Sequence, residues 1–323
     1  MSTALITSGQ KSSTGRRRRI TTVGALVGVL LAGCGSGPSQ VGAAVVVGDR
    51  VVPLEQVQHR LQVVLDKESA AQDMQQQGKL GQISSSIVTS EVQHELTAKA
   101  AEREGVTVDE SKVEELIDSA GGAEAGSRNT IDDASTLRAT ARDQLLQIAL
   151  GAKYADKLQI TFDYFPVNDR ADAVAKAEQI AADPSRMDDF IAEALQDTGG
   201  AGQAEKGVVL TSAASPKYAQ TELFAVPAGT VLAFQPDQGS GRWLVAHVTD
   251  RSTDAAPADD ASVEQLTDQV RRLIGLRVVQ SLTTDLEIRI NPRYGVWDAS
   301  SVQVVPSEGE MAGYQATVRK TDA

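Results

Sequence analysis

Ile160-Thr-Phe-Asp-Tyr-Phe-Pro-Val167 opens, and Trp243-Leu-Val-Ala-His-Val248 closes, the stretch whose reading decides the fold. The first run is rich in β-branched and aromatic residues, and Pro166 places its end at a sheet edge or strand exit. Ala171, Val174, Ala177, Ile180 and Ala181 follow at helical spacing. Asp188 to Leu195 predicts a second, shorter helix. Gly199, Gly200, Gly202 and Gly207 open a loop. Leu223 to Thr230 is an apolar helical turn ending in Pro-x-Gly. Two strands complete the stretch, the last of them Trp243 to Val248.

The N-terminal flank is helical. Ala43 to Pro53 predicts a tight hairpin with Gly48-Asp49 at its turn. Leu54 then starts a helix with Val57, Leu61, Val64 and Leu65 on one stripe. After a Gln-rich hinge at Gln75 to Gly78, a long helix runs from about Ile83 to Glu104 and stops at Gly105. Asp109 is an N-cap for a third helix with Val113, Leu116 and Ile117 on its apolar face. Leu137, Ala141, Leu145, Ile148, Ala152 and Ala155 mark a fourth, running directly into the strand at Ile160. On the other side, Ser252 to Asp260 is a linker. Val263, Leu266, Val270, Leu273, Ile274, Val278, Leu282 and Leu286 predict one long amphipathic helix. Ile288 and Ile290 alternate as in a short strand, and Asn291 to Gly295 is a turn with Tyr294 and Trp297 as packing anchors.

The order of elements between Ile160 and Arg251 resembles the parvulin-type peptidyl-prolyl isomerase domain of the SurA and PrsA extracytoplasmic foldases. The residues that carry it are Asp189-Phe190, Gln196-Asp197, Glu205-Lys206-Gly207, Phe224-x-x-Pro-x-Gly229 and Gly241-x-Trp-x-x-x-x-Val248-Thr-x-Arg251. The hairpin and first helices are similar to the SurA N-terminal domain. The resemblance implies an α+β fold: a helical SurA-type body, made of the N-terminal helices and the C-terminal helix, with an inserted parvulin-like α/β domain held away from it. It also implies histidines in the first and last parvulin strands, facing each other across a pocket. Those positions here are Tyr164 and Leu244, and Asp197 falls where the family places a pocket acid or cysteine. His247 is three residues on from Leu244, so strand alternation puts it on the opposite face. The catalytic pocket is therefore expected to be degenerate, and the plainer reading of Asp197 is a turn or helix-end residue.

The N-terminus carries Lys11 and Arg16 to Arg19, then the apolar run Val23 to Ala32. Cation followed by an apolar run too short for a comfortable span is a secretory signal. Leu31-Ala32-Gly33-Cys34 resembles the bacterial lipobox, which implies lipidation of Cys34, the only cysteine. The expected divisions are 1–33 signal peptide, 34–42 lipidated tether, 43–158 N-terminal helical domain, 159–251 parvulin-like domain, 252–304 C-terminal helix and short strand, and 305–323 disordered tail.

Composition narrows the function. A formal charge of -12, with those five cations confined to the first 33 residues, argues against nucleic-acid partners. One cysteine forbids an intramolecular disulfide. The three histidines, His59, His94 and His247, are not spaced as metal ligands, and no Gly-rich phosphate loop ending in Lys-Ser/Thr occurs, so neither a metal nor a cofactor is expected. The leading expectation is a membrane-anchored chaperone on the extracytoplasmic face of the cell membrane. It would bind unfolded or newly exported polypeptides without isomerase activity. Two alternatives stay open: an active parvulin-type isomerase, and an envelope lipoprotein with one dedicated partner.

Overall fold

The computed structural model describes residues 42–197, 204–237, 241–257 and 263–319. The signal segment, the tether with Cys34 up to residue 41, and the last part of the linker before Val263 lie outside the described residues. Strand β1 (Ala43–Val47) turns through Gly48 into β2 (Arg50–Pro53). Gly48 has φ +57, the left-handed conformation that a two-residue hairpin turn needs. Helices α1 (Leu54–Lys67), α2 (Ser69–Gln76) and α3 (Leu80–Glu104) follow, and α2 takes up Gln75 and Gln76 of what reads as a hinge in the sequence. Gly105, at φ +60, closes α3 in the left-handed cap, and Asp109 Oδ1 accepts the Ser111 amide at the start of α4 (Glu110–Ser119). A short α5 (Ala123–Gly126) precedes the long α6 (Leu137–Tyr154).

The second half is built on an antiparallel five-stranded sheet. Its strands are β3 (Gln159–Val167), β4 (Glu205–Thr211), β5 (Thr230–Phe234), β6 (Trp243–Ser252) and β10 (Tyr314–Thr317), in the order β10-β5-β6-β3-β4. Helices α7 (Arg170–Ala182) and α8 (Arg186–Asp197) cover one face. Phe165, Val167, Val231, Ala233, Trp243 and Val245 point to them, and Ala177, Ile180, Met187 and Phe190 answer from the helices. The alternate residues Ile160, Phe162, Leu232, Phe234, Leu244, Ala246 and Val248 point the other way.

A short α9 (Pro216–Ala219) leads to a 3-10 turn at Glu222–Phe224, and α10 (Asp268–Leu282) packs on both α6 and α3. The α6–α10 contact is backbone on backbone. A Cβ on Gly151 would collide with the Arg271 carbonyl oxygen, and one on Gly275 with that of Gln147. After α10, β7 (Ile288–Ile290) pairs with β1 to complete a sheet of order β2-β1-β7. β8 (Val296–Asp298) and β9 (Gln303–Val305) form a separate ribbon.

The fold is α+β. Four expectations need correction. Residues 305–323 do not form a disordered tail as far as they are described: Tyr314–Thr317 is β10, paired with Thr230–Ala233 of β5, because β5 would otherwise leave a row of backbone groups unpaired. The sheet is not held away from the helices. Its second face shares one continuous core with α1, α3, α6 and α10, including Val57, Ile87, Leu150, Ile274, Phe224 and Leu244. Gly207 is not loop but part of β4, which pairs with Ile160 to Phe162 and beyond. The C-terminal helix is shorter than its apolar pattern, since Val263–Gln265 is a separate 3-10 turn and Thr267 caps α10 by accepting the Val270 amide.

Candidate functional site

Tyr164 and Leu244 do share a face of the sheet, on neighbouring strands. Tyr164 stands opposite Ala246, and Leu244 lies between Pro166 and Phe234. Leu244 is 8% exposed and packs into the common core. Tyr164 is half-buried, with its ring 5.6 Å from Phe162. Burial, then the nearby Glu205 and Tyr218, push its phenol above the usual tyrosine range. A phenol held neutral can donate a hydrogen bond, but Leu244 offers no polar partner across from it. Asp197 ends α8, and its side chain lies outside the described residues. His247 pairs with Val231 and Asp163 in register, and Val231 belongs to the helix-covered face. Burial lowers its imidazole pKa, so it is neutral at pH 7 and turned away from Leu244.

The helical half carries a more open feature. In the β1–β7 ladder, Gly48 donates to the Glu287 carbonyl and Asn291 donates to that of Ala44. Antiparallel pairs alternate, so Ile288 and Ile290 aim their N–H and C=O groups away from β1. β7 is the edge of its sheet. A groove of about 540 Å³ runs beside it, lined by Leu96, Leu286, Ile288, Ile290, Val296 and Trp297, with Gln280, Thr283 and Gln315 adding polar groups. Ile288 and Ile290 are two residues apart and so share a side of the strand; both are half-buried. A sheet edge beside an apolar trough can take an extended chain, whose backbone would pair with β7 while alternate side chains enter the trough. The Ile288/Ile290 alternation is visible in the sequence. That the outer edge stays uncovered is not, because strand neighbours are set by tertiary packing.

A polar cleft of about 300 Å³ lies on the other side of α3. Arg60 bridges the buried carboxylates of Glu91 (2.7 Å) and Asp132 (3.0 Å). His94 Nδ1 lies 2.7 Å from Asp143 Oδ2, joining α3 to α6. That bond raises the imidazole pKa above its ordinary value, against the opposing effect of burial. Arg60–Glu91 and His94–Asp143 tie helix to helix, and Arg60–Asp132 ties α1 to the segment before α6.

No family model matches the chain, and no curated protein matches it. Among solved structures it is similar to the foldase protein PrsA from Lactococcus lactis, at 9% identity over 77% of this chain and 94% of that one, with a TM-score of 0.26. It is similar also to a structure of the SurA-like chaperones of Campylobacter jejuni, at 11% identity over 77% and 99% of the two chains, TM-score 0.22. PrsA from Streptococcus pneumoniae follows at 15% identity over 73% and 88%, TM-score 0.22. The chain is thus similar to SurA- and PrsA-like foldases. At scores this low, what it does has to be read from its own geometry.

Proposed function

We propose that this protein is an extracytoplasmic chaperone, tethered to the membrane by lipid on Cys34, that holds unfolded polypeptides and does not isomerise proline bonds. The observation that carries this reading is the groove beside β7, where backbone of Ile288 and Ile290 that has no partner among the described residues meets an apolar trough. An unfolded chain exposes the complementary features, unpaired amides and apolar side chains. Each large side chain hidden from water is worth roughly 1.5–3 kcal/mol, enough for reversible capture after ordering costs are subtracted. Catalysis of proline isomerisation needs polar groups arranged around the amide, against a barrier of about 18–20 kcal/mol. The burial of Leu244 in the core argues against such a pocket. Residues 1–41 lie outside the described residues, so the lipid anchor rests on the Arg16 to Cys34 pattern alone.

A photo-crosslinking side chain placed at Val296, on the groove wall, tests the reading in intact cells. Crosslinks to many unrelated exported polypeptides are expected. A single stoichiometric product would instead indicate a dedicated envelope partner.

A further inference from the structure

A second cleft, of about 710 Å³, opens where the sheet, α10 and the C-terminal segment meet. Gln220, Glu222, Trp243, Arg277, Ser300 and Met311 line it. Glu222 and Arg277 are only 6% and 8% exposed. Arg277 spends its donors on neutral oxygens: Nε to the Gln220 carbonyl at 2.8 Å, Nη1 to the Gln280 side chain at 3.0 Å, and Nη2 to the Ser300 carbonyl at 2.8 Å. It forms no ion pair with Glu222, and among the described residues none joins Glu222 to any other cation. Asp298 is near enough for its charge to act on both Glu222 and Arg277, and among the described residues no ion pair joins it to a cation. It accepts from the Ser300 amide (3.0 Å), the Ser301 hydroxyl (2.7 Å) and the Ala312 amide (2.8 Å). Lys217, an exposed cation on the cleft wall, lies 3.3 Å from Asp237. Two buried carboxyls therefore face one guanidinium that is occupied elsewhere.

A buried carboxylate without its own cation is costly, and either a proton or an incoming positive charge relieves it. We propose that this cleft is a second polypeptide-binding site, which accepts the guanidinium or ammonium of an arginine or lysine side chain against Glu222. The proposal rests on the polypeptide-binding reading above but uses a different site. Such a guest can lay the methylene stem of its arginine or lysine along the half-buried Met311 while the charged head reaches Glu222. The acidic surface of the chain favours its approach. Burial raises the Glu222 carboxyl above the usual range, with Arg277 and the Ser300 hydroxyl opposing and Asp298 adding to the rise. Acid therefore supplies the competing proton, and guest binding weakens as pH falls.

Calorimetry of the full chain with Ala-Arg-Ala and with Ala-citrulline-Ala tests this. Citrulline keeps the shape of arginine and removes its charge. The arginine peptide is expected to bind about tenfold tighter at pH 7.5, with a smaller ratio at pH 5. Glu222→Gln should erase the preference. As that change could disturb the packed floor, Met311→Arg, which places a cation at the mouth, should erase it in a chain whose circular dichroism is unchanged. Equal binding of the two peptides, no binding of either, or a preference that survives both substitutions overturns the proposal. Arginine amide binding as tightly as the tripeptide overturns the assignment to polypeptide. Ile288→Asp separates the two sites: lost client holding with the arginine preference intact faults neither, whereas an absent preference beside intact client holding sinks the cleft alone.

Discussion

At the scale of single residues, the departures that matter are substitutions of polar by apolar side chains. Leu244 stands where the resemblance implies a histidine, and the structure uses it as core. A proline-peptide isomerisation assay should therefore show no rate above background, and Tyr164→Phe should change nothing; a measurable rate lost in that variant would reverse the conclusion. His94 makes a different prediction. Its pKa is raised by the hydrogen bond to Asp143, with Glu95 and Glu91 also contributing. A histidine whose folded pKa exceeds its unfolded value of about 6.5 stabilises the fold below that value and loses the contribution as pH rises through the folded pKa. The Tm gap between the native chain and Asp143→Asn should thus be wider at pH 6 than at pH 8.5. Tyr164 and Leu244 were reached through the family resemblance, and strand alternation then put His247 on the face opposite Leu244. Glu222 and Arg277 could not be found in this way, because nothing local in the sequence distinguishes a buried charge from a solvated one.

At the scale of elements, local signals survived and non-local ones did not. The Gly105 stop and the Asp109 cap were legible because each acts within a few residues. β4 and β10 were not, since a strand four to seven residues long is defined by its partner, and Glu205–Thr211 reads as glycine-punctuated loop until β3 lies beside it. By local propensity alone, Gly151 is a flaw in α6 of about 1 kcal/mol relative to alanine. Its place opposite α10 gives it a purpose. Gly151→Ala should lower stability by about 3 kcal/mol, the upper range for forcing atoms into a packed contact. Gly81→Ala, on α3 with open space around it, should be neutral or stabilise by about 0.5–1 kcal/mol. Urea unfolding of the two variants checks the contrast; equal effects would mean that α6 and α10 do not touch as described.

At the scale of the whole molecule, sheet and helices share a core, and the last strand returns to finish the sheet. Truncation after Val305 should consequently expose the edge of β5 and collapse hydrogen-exchange protection in Thr230–Phe234, while protection in α3 is retained. Uniform protection in the truncated chain would make β10 dispensable. On the proposed reading, an extended chain pairs with β7, the sheet edge that lies beside the apolar groove. The most direct measurement is suppression of aggregation when a chemically unfolded protein is diluted into an equimolar amount of the full chain. Suppression is predicted for the native protein and its loss for folded Ile288→Asp/Ile290→Asp. No suppression by the native protein, or equal suppression by the variant, would contradict the groove as the place where unfolded chains are held.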